Sequence, residues 1–276
     1  MDVAIGLPNA VAGTTGKQIV DWAHEAEQAG FSSLGTIDRL VYPSHEPLVA
    51  LAAAAGVTER IRLTTSVLLA PLRRTPLLAK QAATVNEISG GRLVLGMGVG
   101  GREDDFELAG VDMHQRGRIF DEQLEQMTRL WADGEIAPGA APTVILGGSV
   151  DASFRRAAKY GAGWIMGGGP PDQFKEAVPK LREAWKAEGR DGEPRKMALA
   201  YYSLGPNAAQ AAQRSIGHYY AWLGEYAQMI VDSAAKDADT VKQYVAAFEE
   251  AECDELILFP ADGDPEQVAL LREALG

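Results

Sequence analysis

The sequence has a single cysteine, Cys253, and only four histidines in 276 residues. One thiol excludes an internal disulfide framework and a cysteine metal cluster, and a reducing compartment, the cytoplasm, fits it best. His24, His45, His114 and His218 show neither HxH nor HExxH spacing, so no metal site is expected. No stretch approaches ~18 uncharged apolar residues, and the opening MDVAIGLPN lacks the basic-then-apolar order of a leader. No membrane segment is expected. Basic residues are the minority, 26 Lys and Arg against 38 Asp and Glu, for a net charge of −12. That balance argues against a nucleic acid or an anionic membrane surface as a partner. Also missing are a GxSxG elbow and a cysteine placed beside a base, which removes the nucleophilic hydrolases.

Apolar residues make up 46% of the chain, ample for a full core. They recur in a regular rhythm. Short apolar runs at Val3 to Leu7, Ser33 to Ile37, Ile61 to Leu69 and from Arg92 onward read as strands, followed by Thr143 to Leu146, Trp164 to Met166, Lys196 to Ser203 and Glu255 to Phe259. Helical stripes separate them. Thr15 to Gln18 fits a capping box ahead of Ile19, Trp22, Ala23 and Ala26, with Gly30 closing that helix. Pro47 suits a first helical turn, Thr75-Pro76 starts another helix, and Asp112 to Gln115 can cap a further one. Pro179 is expected to kink or restart the helix that holds Phe174, Leu181 and Trp185. A repeat of roughly 35 residues with eight strand-helix units matches a closed α/β barrel, (β/α)8, better than an open sheet. No Pro/Gly/Ser-rich linker interrupts the chain, so one domain over residues 1–276 is expected.

In such a barrel ligands bind at the C-terminal strand ends. Those ends are marked here by Asn9, Asp38-Arg39, Ser66-Val67, Gly98 to Arg102, Gly147-Gly148-Ser149, Gly167 to Gly169 and Tyr201-Tyr202. The stretch Arg92 to Phe106, RLVLGMGVGGREDDF, is the most distinctive. Its glycines permit either close backbone approach by a ligand or dihedrals that other residues avoid, and a plain strand-to-helix turn is the competing reading. GxGxGG is not the dinucleotide fingerprint, and no acidic residue ends a following strand at the ribose-binding distance. Glycine clusters before helix starts at strand ends five and six suit a phosphate. Asp38 fits a general acid/base equally with a partner that fixes Arg39. Glu103-Asp104-Asp105 reads either as paired carboxylates or as a run compensating a helix dipole.

Leu63 to Trp131 resembles the luciferase-like flavin/deazaflavin oxidoreductase family, and GFSSLGTIDR, ILGGS and GWIMGGG follow the same pattern more loosely. The resemblance implies a bacterial luciferase-like TIM barrel, usually dimeric, that binds FMN, reduced FMN from a separate flavin reductase, or the deazaflavin F420 supplied by an F420 reductase. It implies oxidation or reduction of a small organic substrate, with flavin-dependent monooxygenation as the leading expectation and F420-dependent hydride transfer as the alternative. Carried over by position, Ser66-Val67 matches a non-prolyl cis peptide behind the ring, and Leu69 continues that wall. Gly98, Val99, Gly100, Gly101 and Arg102 match the segment along the cofactor tail, and Gly147, Gly148, Ser149, Gly167 and Gly168 match the phosphate nest. Asp38 and Arg39 stand where several members carry a catalytic histidine and are the catalytic candidates. Val99 replaces a phosphate-contacting arginine of bacterial luciferase, which leans toward the F420 branch. Arg39, Arg73, Arg74 and Arg102 are the cations that would compensate a polyanionic tail. Outside this resemblance, a Schiff-base lysine enzyme is disfavoured by the positions of Lys80 and Lys196, and a non-enzymatic flavin-binding protein is the remaining alternative.

Overall fold

The computed structural model describes every residue except 135, 137 and 138. Its strands are β1 (Asp2–Gly6), β2 (Ser33–Thr36), β3 (Arg62–Thr65), β4 (Leu68–Leu69), β5 (Leu93–Gly98), β6 (Thr143–Gly147), β7 (Gly163–Met166), β8 (Arg195–Tyr202) and β9 (Glu255–Pro260). Every pairing is parallel, in the order β3-β2-β1-β9-β8-β7-β6-β5-β4. A further pairing, Leu63 with Leu93 and Thr64 with Val94, joins β3 to β5 and closes the sheet. Because β3 and β4 are halves of one stave, the result is the expected eight-stranded barrel. The expected continuous third strand, Ile61 to Leu69, is divided by a cis peptide between Ser66 and Val67.

The helices are α1 (Gly16–Gln28), α2 (Pro47–Ala55), α3 (Thr75–Ile88), α4 (Glu103–Ala109), α5 (Arg116–Ala132), α6 (Asp151–Tyr160), α7 (Pro171–Ala187), α8 (Ala208–Tyr219), α9 (Glu225–Asp232), α10 (Ala238–Glu250) and α11 (Glu266–Leu275). Local chemistry sets their ends. Thr15 and Gln18 form the expected capping box of α1. Glu46 caps α2 by accepting from the Val49 N–H, and Pro47 follows at the first turn. Asp112 accepts from the His114 N–H, but it opens a 3-10 turn at Met113–Gln115 rather than α5 itself. Against expectation, α7 runs through Pro179. Its buried stripe of Phe174, Val178, Leu181 and Trp185 anchors both sides of the one backbone hydrogen bond that proline removes.

Strand alternation sorts side chains into two cores. Leu93, Leu95 and Met97 of β5, Ala198 and Tyr202 of β8, and Leu256 and Leu258 of β9 pack outward under the helices. Val94, Ile145, Ile165, Met197, Leu199, Ile257 and Phe259 fill the barrel interior, with Ile37, Val67 and Tyr201 packed on them from above. Phe259 occupies the space that side chains at Gly6 and Gly35 would need, since a Cβ there would lie 2.2 and 2.8 Å from its ring. Burying such a ring stabilises the barrel by about 1.5–3 kcal/mol. Below, the interior is polar. The Glu255 carboxylate accepts from Ser32 (2.6 Å), Ser33 (2.8 Å), Arg62 (3.1 Å) and Arg195 (2.7 Å), tying β2, β3, β8 and β9 together at their N-terminal ends. The groups at this end are thus spent on one another, and the opposite, C-terminal rim is where the candidate site residues lie.

Candidate active site

At the C-terminal rim the Ser66–Val67 cis peptide turns Val67 over the barrel axis. The neighbouring staves make room for it. A Cβ at Gly98 would lie 2.7 Å from Val67 Cγ2, one at Gly147 would lie 2.9 Å from Val67 Cγ1, and one at Gly96 would lie 2.0 Å from the Thr65 carbonyl oxygen. Gly96 and Gly98 belong to β5 and have no positive φ, so the alternating glycines accommodate the third stave. Gly100 is different. Its φ of +76° requires glycine, and the chain then turns into α4.

Asn9 is fully buried and completely engaged. It donates to the Ile37 and His45 carbonyls at 2.7 and 3.0 Å and accepts from the Ile37 N–H at 3.1 Å, which stitches the β1 end to the β2 loop. Asp38, the next residue of that loop, pairs with Arg73 and not with Arg39. Arg73 donates to both carboxylate oxygens, and the Leu69 N–H donates to one of them at 2.8 Å. Burial pushes the Asp38 carboxyl above its ordinary range, while Arg73 and the Leu69 N–H pull against that shift. Arg39 instead places Nε 3.0 Å from Asp105 and NH2 2.7 Å from Asp104 on the first turn of α4, and donates to the Val41 carbonyl. The Asp105 carboxylate also accepts from the Leu40 and Val41 N–H groups, so the acidic run fastens the β2 loop to α4. The whole acidic run lies on the first turn of α4, and its Asp104 and Asp105 are paired with Arg39.

Arg102 is also occupied. Its guanidinium donates to the Tyr219 carbonyl at 2.9 Å and stacks 4.2 Å from the Tyr219 ring centroid, with Trp222 at 5.2 Å. Tyr42 packs edge-on against Tyr219, and its hydroxyl lies 2.9 Å from His218 Nδ1. Three loops thus meet above the barrel, and the aromatic end of α8 covers part of the mouth. The aromatics of the segment from Ile216 to Met229, with Tyr42 and Tyr201, are the sequence's own signal for an apolar mouth, whereas Trp22 and Tyr202, expected to join them, are fully buried in the core instead.

The remaining glycines border the mouth. Gly148 and Gly168 have φ of +131° and +92°, and the Gly148 carbonyl accepts from Trp164 Nε1 at 2.6 Å. Gly101 and Gly167 are exposed, have no positive φ, and would meet nothing within 4 Å on gaining a Cβ. Ser149 is exposed, and Leu69 and Val99 are half-buried. The Ser66 hydroxyl is buried without a hydrogen-bond partner among the described residues. An orphaned hydroxyl beside Val67, with open space along Gly101 and Gly167, fits a planar polar ring and a tail leading outward. Among the described residues no cluster of three His, Cys, Asp or Glu side chains is placed to hold a metal, and no helix is long and apolar enough to cross a membrane.

Residues 1–271 match the luciferase-like monooxygenase family. An uncharacterized protein of Mycobacterium tuberculosis is 31% identical over 206 residues, covering 61% of this chain and 71% of the relative. The 5,10-methylenetetrahydromethanopterin reductase of Methanolobus tindarius is 27% identical over 212 residues, or 70% of this chain and 64% of that one. In fold the chain is similar to an F420-dependent secondary alcohol dehydrogenase solved with an F420-acetone adduct, with a TM-score of 0.84 at 18% identity over the whole of both chains. It is also similar to a monooxygenase from Streptomyces bottropensis, with a TM-score of 0.81 at 21% identity over 100% of this chain and 98% of that one.

Proposed function

The chain belongs to the luciferase-like monooxygenase family, and from that premise we propose that it is a deazaflavin-dependent oxidoreductase that exchanges a hydride between F420 and a small organic substrate. The observation that carries the choice of cofactor is at the β5 loop. Val99 packs against the core where an FMN-luciferase places an arginine, and Arg102 is turned onto Tyr219. A terminal phosphate monoester, near −1.5 to −2 in charge, would meet no free guanidinium there and would rely on backbone N–H groups alone. F420 carries a singly charged phosphodiester, and its carboxylates lie at the end of a long tail that exposed Gly101 and Gly167 would let out to solvent. The 5,10-methylenetetrahydromethanopterin reductase of Methanolobus tindarius, as a relative, supports the reductase side of this reading.

When bound, the deazaflavin ring supplies the hydride chemistry. The protein's share is placement. Val67 and Leu69 would form the bed of the ring, the Ser66 hydroxyl would meet one of its polar atoms, and the glycine turns would line its tail. Asp38, held by Arg73 and the Leu69 N–H, would fix this bed from behind. The tyrosines at the end of α8 would keep bulk water from the reacting face.

Parallel titration with F420 and with FMN, followed by absorbance, tests the proposal. F420 should bind at micromolar concentration and FMN at least tenfold more weakly. Tight FMN binding with no F420 binding would sink the deazaflavin reading and return the chain to FMN-dependent monooxygenation.

A further inference from the structure

The mouth of the barrel contains a narrow cavity of about 20 Å³, room for about one water, between β1, β8, β9 and the end of α8. Its walls include Leu7, Ile37, Ile216 and Phe259, and among the described residues none that lines it is charged. Tyr201 enters from β8, on the same interior face as Met197 and Leu199, and Tyr220 enters from the end of α8. Their hydroxyl oxygens lie 2.9 Å apart, and neither has another partner among the described residues.

The pair carries one more proton than it can use internally. Two phenols hold two O–H protons, and one of them is used within the pair. The accepting phenol keeps its own proton free, and its O–H donates more strongly because its oxygen already accepts. Burial pushes both phenols above their ordinary range, Tyr201 the further, so the pair stays neutral through physiological pH. A neutral donor in an apolar wall satisfies a neutral oxygen. A carboxylate or phosphate buried there would lose its hydration with no cation in the wall to pair with, since Arg102, 5.4 Å from the Tyr220 ring centroid, lies outside the lining and is committed to the Tyr219 carbonyl.

We propose that the Tyr201–Tyr220 hydroxyl pair is the polar anchor of the substrate site, and that the substrate is a small neutral ketone or alcohol with an apolar body. The proposal rests on the oxidoreductase reading above, in which the ring lies beside Val67. Val67, Ile37 and Tyr201 pack on one interior cluster, which puts the anchor and the ring bed around the same opening. The one-water cavity takes only the substrate oxygen, held by Tyr201 and Tyr220, and the apolar body would lie outside it, toward the ring bed at Val67.

Ligand-observed NMR on the full chain tests this with three probes of one shape: cyclopentanone, cyclopentanol and cyclopentanecarboxylate. The ketone and the alcohol should bind and compete with each other, and the carboxylate should bind at least tenfold more weakly. Tyr201→Phe and Tyr220→Phe should each weaken ketone binding three- to tenfold, the range for one lost neutral hydrogen bond, with F420 affinity changed less than twofold. Circular dichroism identifies a variant that fails to fold, and the other variant then carries the comparison. Absence of ketone binding to the wild type, equal binding of the carboxylate, or unchanged ketone binding in a folded Phe variant would overturn the proposal. Parallel loss of ketone and F420 binding would also overturn it, by assigning the pair to the cofactor. If neither F420 nor FMN binds the wild type, the oxidoreductase reading fails while the ketone-to-carboxylate comparison still reports on the anchor.

Discussion

Arg73 grips both carboxylate oxygens of Asp38, at 2.6 and 3.1 Å, across the gap between the β2 loop and the turn that follows β4. Glu46 takes the other side of the same guanidinium at 3.1 Å. A carboxylate fixed in this way supports the Val67–Leu69 segment, and Asp38→Asn would leave a mostly buried guanidinium short of charge. The expected loss is about 2–3 kcal/mol, below the ~3–5 kcal/mol typical of a broken buried pair because Glu46 remains. Denaturant unfolding measures it. Unchanged stability with a large fall in turnover would instead place Asp38 among the reacting groups, the role that its strand-end position first suggests.

Glu255 is one carboxylate whose burial and partners tie the barrel's stability to pH. Burial raises its carboxyl, but hydrogen bonds from Ser32 and Arg195 and the charge of Arg62 outweigh that and hold it below the ordinary 4.5. A depressed folded-state pKa gives stability that is present above 4.5 and lost as pH falls through the lower folded value. Wild-type stability should therefore decline below that point. Glu255→Gln should cost about 2–4 kcal/mol near neutral pH and flatten the acid decline, as thermal melts across the pH range would record. An equally steep decline in the variant would move the acid sensitivity to other carboxylates.

These two contacts mark the limit of what the sequence discloses. The strands and helices are legible because buried faces impose a period of two or 3.6 on the residues that form them. The capping box of α1 is legible because its partners are three residues apart. Asp38 and Arg73 are separated by 35 residues, while Arg39 is adjacent, so local reasoning pairs the wrong cation. Only the folded barrel brings β2 beside the turn after β4. The glycines are ambiguous for another reason. Lacking a side chain, Gly98 and Gly147 look the same whether a ligand or Val67 fills the space, and here Val67 does.

Glycine substitutions separate the two kinds. Gly96→Ala would press Cβ to 2.0 Å from the Thr65 carbonyl oxygen, a backbone atom that cannot rotate aside. It should cost about 3 kcal/mol or more, or abolish folding. Gly101→Ala and Gly167→Ala meet nothing within 4 Å, so their melting behaviour should stay within about 0.5 kcal/mol of wild type. Both should nonetheless weaken F420 binding three- to tenfold if the tail follows these turns. Wild-type affinity in the two folded variants would put the tail elsewhere.

Charge at the rim is unevenly committed. Four arginines are near enough in sequence to compensate a polyanionic tail, but three are already engaged: Arg39 by Asp104 and Asp105, Arg73 by Asp38 and Glu46, and Arg102 by the Tyr219 carbonyl. Arg74 is exposed at the start of α3 and has no ion pair among the described residues. An exposed guanidinium keeps its hydration until a ligand arrives, so its attraction for an anion is modest and screened beyond about 8 Å at physiological salt. Arg74→Gln should therefore weaken F420 binding about two- to fivefold at low salt and hardly at all at high salt, leaving stability unchanged. Arg39→Gln should do the opposite, loosening the β2 loop from α4 and lowering the melting temperature while the salt dependence of binding persists. Titrations of both variants at two ionic strengths decide the matter. A larger loss of salt dependence in Arg39→Gln than in Arg74→Gln would mean that Arg39 leaves Asp104 and Asp105 to meet the ligand.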